Sequence, residues 1–184
     1  MSFDLQGSNM IGMSRDALAS LRAVLFRDAG TNAANYLYEA GYAGGAGLYE
    51  AFTRWCRTRQ LPVPEAMTAP DFEKRAGEFF AELGWGTVSV SLLHDSALAL
   101  DSSNWAEADP ASAMQFPGCY FTTGMLTQFF ARVGGEQLTV MEVECRSMGA
   151  ERCRFIAASA ETVQHVYDAM VQGTGVDNAL QQMA

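Results

Sequence analysis

Apolar residues in the first third of the chain recur at three- and four-residue intervals, which is the spacing of one helix face. The first such stretch begins at Ser14 and continues through Leu18 and Leu21. The same spacing predicts further helix from about residue 33 and again over about 48–59. The chain therefore opens with a helical part.

Two stretches interrupt this helical pattern. Four glycines within residues 41–47 weaken the prediction of a regular element there, although they would also allow close helix contact or leave space for a ligand. Closely spaced prolines over residues 61–70 predict a linker, because proline prevents helix. The linker joins the helical part to the rest without making a separate domain.

The period of the pattern changes after Gly86. Residues 87–92 alternate strictly between polar and apolar, which is typical of a half-buried strand. Helical and alternating stretches then follow each other along the chain. We predict helices over about 71–83, 119–133 and 160–172, and strands over 87–92, 97–101, 136–146 and 152–158.

This order of elements predicts an α+β fold with an antiparallel sheet of about four strands packed against helices. We expect a single domain over residues 1–184. Residues 1–60 form its N-terminal helical part, and residues 71–173 form a core of helix, hairpin, helix, hairpin and helix.

Composition and charge narrow the function classes. The chain has 184 residues, 49% of them hydrophobic, and a formal net charge of −9. Its twelve basic residues are scattered and Lys74 is the only lysine, so binding to nucleic acid or to an anionic membrane surface is not expected. No apolar run is long enough for a membrane span, and the N-terminal residues do not resemble an export signal. We therefore expect a cytoplasmic protein.

Two of the four cysteines lie on a predicted hairpin. If Met148 to Ala150 form a three-residue turn, Cys145 lies opposite Cys153. Directly opposed residues of an antiparallel pair have Cβ atoms about 4.5–5.5 Å apart, close enough for both thiols to bind one metal ion. The same register places Glu144 opposite Arg154, a complementary charge pair that supports it.

A third cysteine and a glutamate could complete a tetrahedral site. Cys119 lies at a predicted helix start, where the helix dipole favours a thiolate. Glu142 and Glu144 are both available as the fourth ligand, but Glu142 and Cys145 are three residues apart. They would face one ion only if the strand contains a bulge or a sharp twist. Packed free thiols or an adventitious disulfide are the alternatives.

These residues resemble the 4-vinyl reductase domain family. The shared pattern is a cysteine at a helix start followed by Glu-x-x-Cys-x7-Cys, and the resemblance extends over about residues 80–160. The family is similar to the ligand-sensing domains of phenol-responsive transcription activators and to a bacteriochlorophyll-biosynthesis protein. Its fold is similar to that of TRAPP trafficking subunits. The resemblance implies an α+β fold, commonly dimeric, with an apolar cavity for a small molecule.

The resemblance also implies a zinc site made of three cysteines and one glutamate. Carried over to this chain, the ligands are Cys119, Glu142, Cys145 and Cys153. This set chooses Glu142 over Glu144 and implies the bulge. Four protein ligands leave zinc no open position, so we expect a structural metal. We assign no catalytic residues, because no known motif pairs a nucleophile with a base.

The candidate residues for ligand binding are His94, Trp105, Tyr120 and Phe121. The first two lie in the region that holds the gripping histidine and tryptophan of the phenol sensors, although the spacing does not align them. Our first hypothesis is a sensory domain for an apolar or aromatic small molecule, dimeric, acting through a signalling partner protein. The alternatives are an enzyme or accessory protein of tetrapyrrole metabolism and a structural protein-interaction module.

Overall fold

The computed structural model describes residues 4–94 and 97–183. These residues form six α-helices and one four-stranded antiparallel sheet, which confirms the predicted fold class. The helices are α1 (Arg15–Ala29), α2 (Asn32–Thr58), α3 (Ala69–Glu82), α4 (Tyr120–Gly134), α5 (Ala160–Val171) and α6 (Val176–Gln181). The strands are β1 (Ser89–His94), β2 (Ala97–Ser102), β3 (Thr139–Glu144) and β4 (Cys153–Ala158).

The sheet has the strand order β1-β2-β4-β3. β4 therefore lies between β2 of the first predicted hairpin and β3 of the second, and it is antiparallel to both. Five of its six residues are buried, as expected for a strand covered on both faces. The chain passes from β2 to β3 through α4, which brings the start of α4 close to the sheet.

Helices cover both faces of the sheet. On one face α2, α3 and α4 enclose an aromatic core in which Phe52, Phe79 and Phe129 are fully buried. On the other face α5 and α6 bury Val166 and Leu180 against the strands. The hydrophobic pattern did not indicate α6, since six residues are too few to establish a helical period.

The glycine-rich stretch continues the helix, whereas the sequence pattern weakens the prediction of a regular element there. α2 runs without a break from Asn32 to Thr58. A Cβ atom on Gly41 would overlap the carbonyl oxygen of Phe121, and one on Gly124 would overlap that of Tyr38. The glycines therefore let α2 and α4 touch along their backbones, which is the close helix contact that the sequence allowed.

The β3–β4 hairpin contains the bulge that the metal prediction required. Glu142 pairs with Phe155, but Glu144 pairs with Arg154, so Val143 is an extra residue on β3. The pairing of Glu144 with Arg154 confirms the predicted register. The turn differs in detail, because it is a 3-10 turn over Arg146–Met148 that closes through Gly149 at φ +92°.

Within the described residues, none of the helices has both the length and the apolar character needed to cross a membrane.

Candidate metal centre and the aromatic core beside it

Four side chains from three elements converge at one buried point. The sulfurs of Cys119, Cys145 and Cys153 and a carboxylate oxygen of Glu142 all lie within 4.8 Å of one another. The three cysteines are at most 1% exposed and Glu142 is 6% exposed. The structure thus brings together the four residues that the family resemblance implied as ligands.

Each ligand candidate occupies a defined position in the fold. Cys119 is the N-cap residue of α4, Cys145 directly follows β3, and Cys153 is the first residue of β4. Glu142 lies on β3 one residue before the bulge. Because the bulge inserts one residue, Glu142 and Cys145 reach the same side of the strand despite their odd spacing.

Glu142 is held by one carboxylate oxygen and leaves the other without a hydrogen-bond partner. Its Oε2 accepts a hydrogen bond of 2.8 Å from the backbone N–H of Cys119. Its Oε1 is buried and has no hydrogen-bond partner. Burial, followed by the negative charge of Cys145, raises the pKa of Glu142 to about 8. A buried carboxylate oxygen without a partner is costly, and a bound cation would satisfy it.

The three thiols influence one another strongly. Hydrogen bonds from the thiols of Cys119 and Cys153 lower the pKa of Cys145, so its thiolate is favoured within the cluster. Donating such a bond to Cys145 raises the pKa of Cys119, and burial acts in the same direction. The backbone N–H of Arg146 lies 3.5 Å from the sulfur of Cys153 and donates to it. Thiolate character and backbone N–H donors are what a metal–thiolate site needs.

The donor set fits a tetrahedral metal ion. Zn–S bonds of about 2.3 Å place the sulfurs of a tetrahedral site roughly 3.7 Å apart, so separations within 4.8 Å need only a small contraction. Three thiolates and one carboxylate suit a borderline-soft cation better than calcium or magnesium. This buried Cys3Glu group could therefore hold a metal ion.

Trp105 and Phe121 belong to one aromatic stack beside this centre. The rings of Trp105 and Trp85 are stacked at 5.3 Å, and the ring of Phe121 stacks on Trp85 at 6.0 Å. Trp105 is 2% exposed, and its Nε1 donates a hydrogen bond of 2.7 Å to Thr122 Oγ1. Trp85 and Phe121 are partly exposed, and Trp105 extends the stack into the core.

The other two ligand candidates lie away from that stack. Tyr120 is half-buried, its ring lies 6.1 Å from that of Phe26 on α1, and burial together with Glu142 raises its pKa. The backbone of His94 pairs with Ala97, at the far end of the β1–β2 hairpin from the loop that carries Trp105. The side chain of His94 lies outside the described part of the structure.

The core beside Trp105 is closely packed. Between the sheet and α4, the residues around Trp105 leave no room for a water molecule in the conformation described; they are Val88, Leu100, Asp101, Ser102, Leu126 and Phe155. An aromatic guest would therefore have to displace side chains of the stack.

The sequence pattern did not indicate two buried charged residues near the centre. Arg22 on α1 and Glu107 in the loop before α4 are 4% and 2% exposed. The carboxylate of Glu107 accepts hydrogen bonds from the backbone N–H groups of Phe121 and Thr122 at 3.1 and 2.7 Å. No local sequence signal marks such a pair, since its members are 85 residues apart along the chain.

Comparisons with known proteins found similarities that include the region around the cluster. Residues 104–159 match the family model of the 4-vinyl reductase domain. The crystal structure of the phenol-responsive sensory domain of the transcription activator PoxR with phenol is similar, with a TM-score of 0.63 and 18% identity over 83% of this chain and 77% of that chain. This likeness shows a common fold.

A vinyl-4-reductase family protein from Methanocaldococcus jannaschii has a TM-score of 0.47 and 20% identity, over 66% of each chain. The search of curated proteins found no match.

Proposed function

Because residues 104–159 match the family model of the 4-vinyl reductase domain, we propose that this protein is a sensory domain for a small aromatic molecule, stabilised by a structural zinc ion. The observation that carries the proposal is the buried Cys3Glu cluster beside a core of stacked aromatic rings. The likeness in fold to the phenol-responsive sensory domain of PoxR supports it.

The zinc part of the proposal rests on the donor set. Cys119, Cys145 and Cys153 supply thiolates, and Glu142 supplies the orphaned carboxylate oxygen. Zinc accepts these four ligands in tetrahedral geometry, and with four protein ligands it has no open position for a substrate. The ion would fix the β3–β4 hairpin against the start of α4 and would take no part in chemistry.

The ligand part of the proposal rests on the interior beside Trp105. Apolar walls from the sheet and α4 meet one polar group there, the Trp105 indole N–H, which donates to Thr122 Oγ1. An apolar site with a polar group that fixes orientation suits a small aromatic molecule that carries a hydroxyl group. Such a molecule would stack within the aromatic cluster and displace a ring, which couples binding to a change in the protein.

Calorimetric titration of the zinc-loaded protein with phenol, benzene and cyclohexanol tests this proposal. Phenol is expected to bind most tightly, because benzene lacks the hydroxyl and cyclohexanol lacks the aromatic ring. Trp105→Phe should weaken phenol binding by at least about tenfold, since it removes the indole N–H from the site.

Trp55→Phe is the matched control for this substitution. Trp55 is also buried, but its Nε1 donates to Glu82 on α3, away from the proposed site. The control should bind phenol as the wild type does. Equal weakening in the two variants, or no heat with any of the three compounds, would refute an aromatic site at Trp105.

The closed packing around Trp105 favours one second candidate, a structural protein-interaction module with no small-molecule ligand. In that case the protein would bind zinc, would bind none of the three compounds, and would form a stable complex with another protein. The titration therefore separates the two candidates.

A further inference from the structure

Helix α1 is held on the domain by arginine side chains. Arg22 is the one buried residue that the structure shows in α1, whereas Leu21 and Val24 are 45% and 39% exposed. A surface helix of a globular protein usually docks through an apolar stripe. At its N-terminal end, Arg15 donates hydrogen bonds to the backbone carbonyls of Gly84 and Asn104 at 3.1 and 3.3 Å. The position of α1 therefore depends strongly on polar contacts.

Arg22 reaches from α1 into the loop that precedes α4. It donates hydrogen bonds to the backbone carbonyls of Glu107 and Gly118, the latter at 2.7 Å. Gly118 is the neighbour of the metal-ligand candidate Cys119, so this bond fixes the backbone that leads into the cluster.

The ion pair between Arg22 and Glu107 is long. Nε of Arg22 lies 3.5 Å from Oε1 of Glu107, and this buried Nε has no hydrogen-bond partner. The same Oε1 accepts a hydrogen bond of 3.1 Å from the N–H of Phe121. A small displacement would let the carboxylate turn toward Arg22 or toward α4. Buried charges at such a junction respond to small shifts, because water does not replace a contact that they lose.

The second carboxylate oxygen of Glu107 is connected by hydrogen bonds to the aromatic stack. Its Oε2 accepts hydrogen bonds from the backbone N–H and the hydroxyl of Thr122, at 2.7 and 2.6 Å. The hydroxyl of Thr122 in turn accepts the bond from Trp105 Nε1. A ring that moves at Trp105 therefore acts on Thr122, and through it on Glu107.

From these contacts we infer that the buried Arg22–Glu107 pair couples the aromatic site and the metal centre to the docking of α1. The inference rests on the proposed sensing function and names α1 as the element that responds. Displacing Trp105, or loosening the backbone around Cys119, weakens the contacts of Arg22 and releases the helix. A helix held by a few polar contacts belongs to the part of a protein that opens at low cost.

Hydrogen exchange of the zinc-loaded full chain, followed by mass spectrometry, tests the inference without an aromatic ligand. In Arg22→Met the amides of residues 19–29 should exchange at least about tenfold faster, while those of α4 and β4 stay within about twofold of wild type. Arg27→Met is the matched control, since Arg27 lies on α1 but is exposed and pairs with its neighbour Asp28. It should leave α1 unchanged.

Two further measurements test the coupling itself. Thr122→Val removes the link between Trp105 and Glu107 without touching α1, and it should raise the exchange of α1 by about threefold or more. Removal of zinc from the wild type with a chelator should have the same effect, since it frees Cys119 beside Gly118. If Arg22→Met does not fold, Arg22→Lys is the alternative, because it keeps the positive charge and loses the paired N–H donors of the guanidinium group. It should give an intermediate increase in the exchange of α1.

Specific outcomes would overturn the inference. A uniform increase across the chain in Arg22→Met would mean that the pair supports global stability alone. Release of α1 in Arg22→Met, with no response to Thr122→Val or to zinc removal, would mean that the pair docks the helix but transmits nothing. Failure to bind phenol would refute the aromatic site and leave these exchange results standing, so the two failures are distinguishable.

Discussion

Glu142 lies in the Cys3Glu cluster with its two carboxylate oxygens in different surroundings. One oxygen accepts the N–H of Cys119 at the start of α4, and the other is buried without a partner. This asymmetry distinguishes Glu142 from Glu144, whose carboxylate forms ion pairs with Arg152 and Arg154 at the surface. In one hairpin, Glu144 therefore forms ion pairs with arginines, whereas Glu142 faces the thiols.

Substitution of Cys145 should remove the metal and lower stability together. Cys145→Ser leaves three ligands, and we expect zinc to fall from one ion per chain to less than about 0.1 by elemental analysis. Zinc at about 1,000 times its Kd contributes about 4 kcal/mol, so thermal unfolding should occur at a lower temperature by several degrees.

Cys56→Ser is the control for that experiment. Cys56 is buried on α2 outside the cluster, and burial raises the pKa of its thiol to about 11. This variant should keep one zinc ion per chain. A wild type without zinc but with full stability would contradict a structural metal.

The pKa of Glu142 predicts how the metal-free protein responds to pH. Burial and then the charge of Cys145 raise it to about 8 from the ordinary 4.5. As pH rises, the Glu142 carboxyl loses its proton in the unfolded chain near pH 4.5 and in the folded protein only near pH 8. The free energy of unfolding should therefore fall as pH rises from about 4.5 through about 8. In the presence of a chelator, the wild type should lose about 1–3 kcal/mol relative to Glu142→Gln over this range.

Glutamine tests the titration and keeps the main contact, because its amide oxygen can still accept the N–H of Cys119. Urea unfolding at pH 5, 6, 7 and 8 provides the comparison. Parallel stability curves for the two proteins would show that Glu142 does not titrate there. With zinc in excess the order should reverse, since the carboxylate then has a cation beside it.

At the scale of elements, the crossing of α2 and α4 positions the end of α4 that carries Cys119. These helices approach so closely that Gly41 and Gly124 leave no space for a side chain. The helix that begins after Cys119 is thus fixed by backbone contact with α2, by the carboxylate of Glu107, and by the cluster itself. The proposed structural metal at its N-terminus would add to a position that the fold has already restricted.

Substitutions of glycine should separate this crossing from ordinary helix propensity. Gly124→Ala places a methyl group against the backbone of Tyr38 and should cost about 1–3 kcal/mol or more of stability. Gly44→Ala lies in the same glycine-rich stretch but faces open space, so it should stabilise the protein by about 0.5–1 kcal/mol. Chemical unfolding measures both values. Equal effects at the two positions would mean that α2 and α4 do not pack backbone to backbone.

At the scale of the whole molecule, the sheet separates two cores of different character. The core under α2, α3 and α4 is aromatic and contains the three cysteines of the Cys3Glu cluster, whereas the core under α5 and α6 is smaller and aliphatic. In the proposed sensing function, a guest in the aromatic core would act on α4 and through it on α1.

Native mass spectrometry tests the assembly that the family resemblance implies. We propose a homodimer, and the expected spectrum shows twice the 19.9 kDa chain mass with two zinc ions. An additional small mass would identify a co-purified ligand to be used in the titrations. A monomer that still binds zinc and phenol would leave the sensory function intact and refute the dimer.

The sequence was sufficient for the local features of this protein. The change of hydrophobic period near Gly86 marked where helices give way to the sheet, because side-chain periodicity follows directly from backbone geometry. The opposed Glu144 and Arg154 supported the hairpin register, and the family resemblance, by choosing Glu142 as a ligand beside Cys145, implied the bulge that the structure contains. Such features depend on neighbours in the chain.

The tertiary structure decided what depends on residues far apart in the chain. Only the packing of α4 beside α2 explains why Gly41 and Gly45 lie within a helix, because helix propensity does not record a backbone contact with another helix. Only the fold joins Arg22 to Glu107 and places His94 at the far end of its hairpin from Trp105. A buried charged side chain pairs with a residue far away in the chain, and no periodicity in the sequence indicates that pairing.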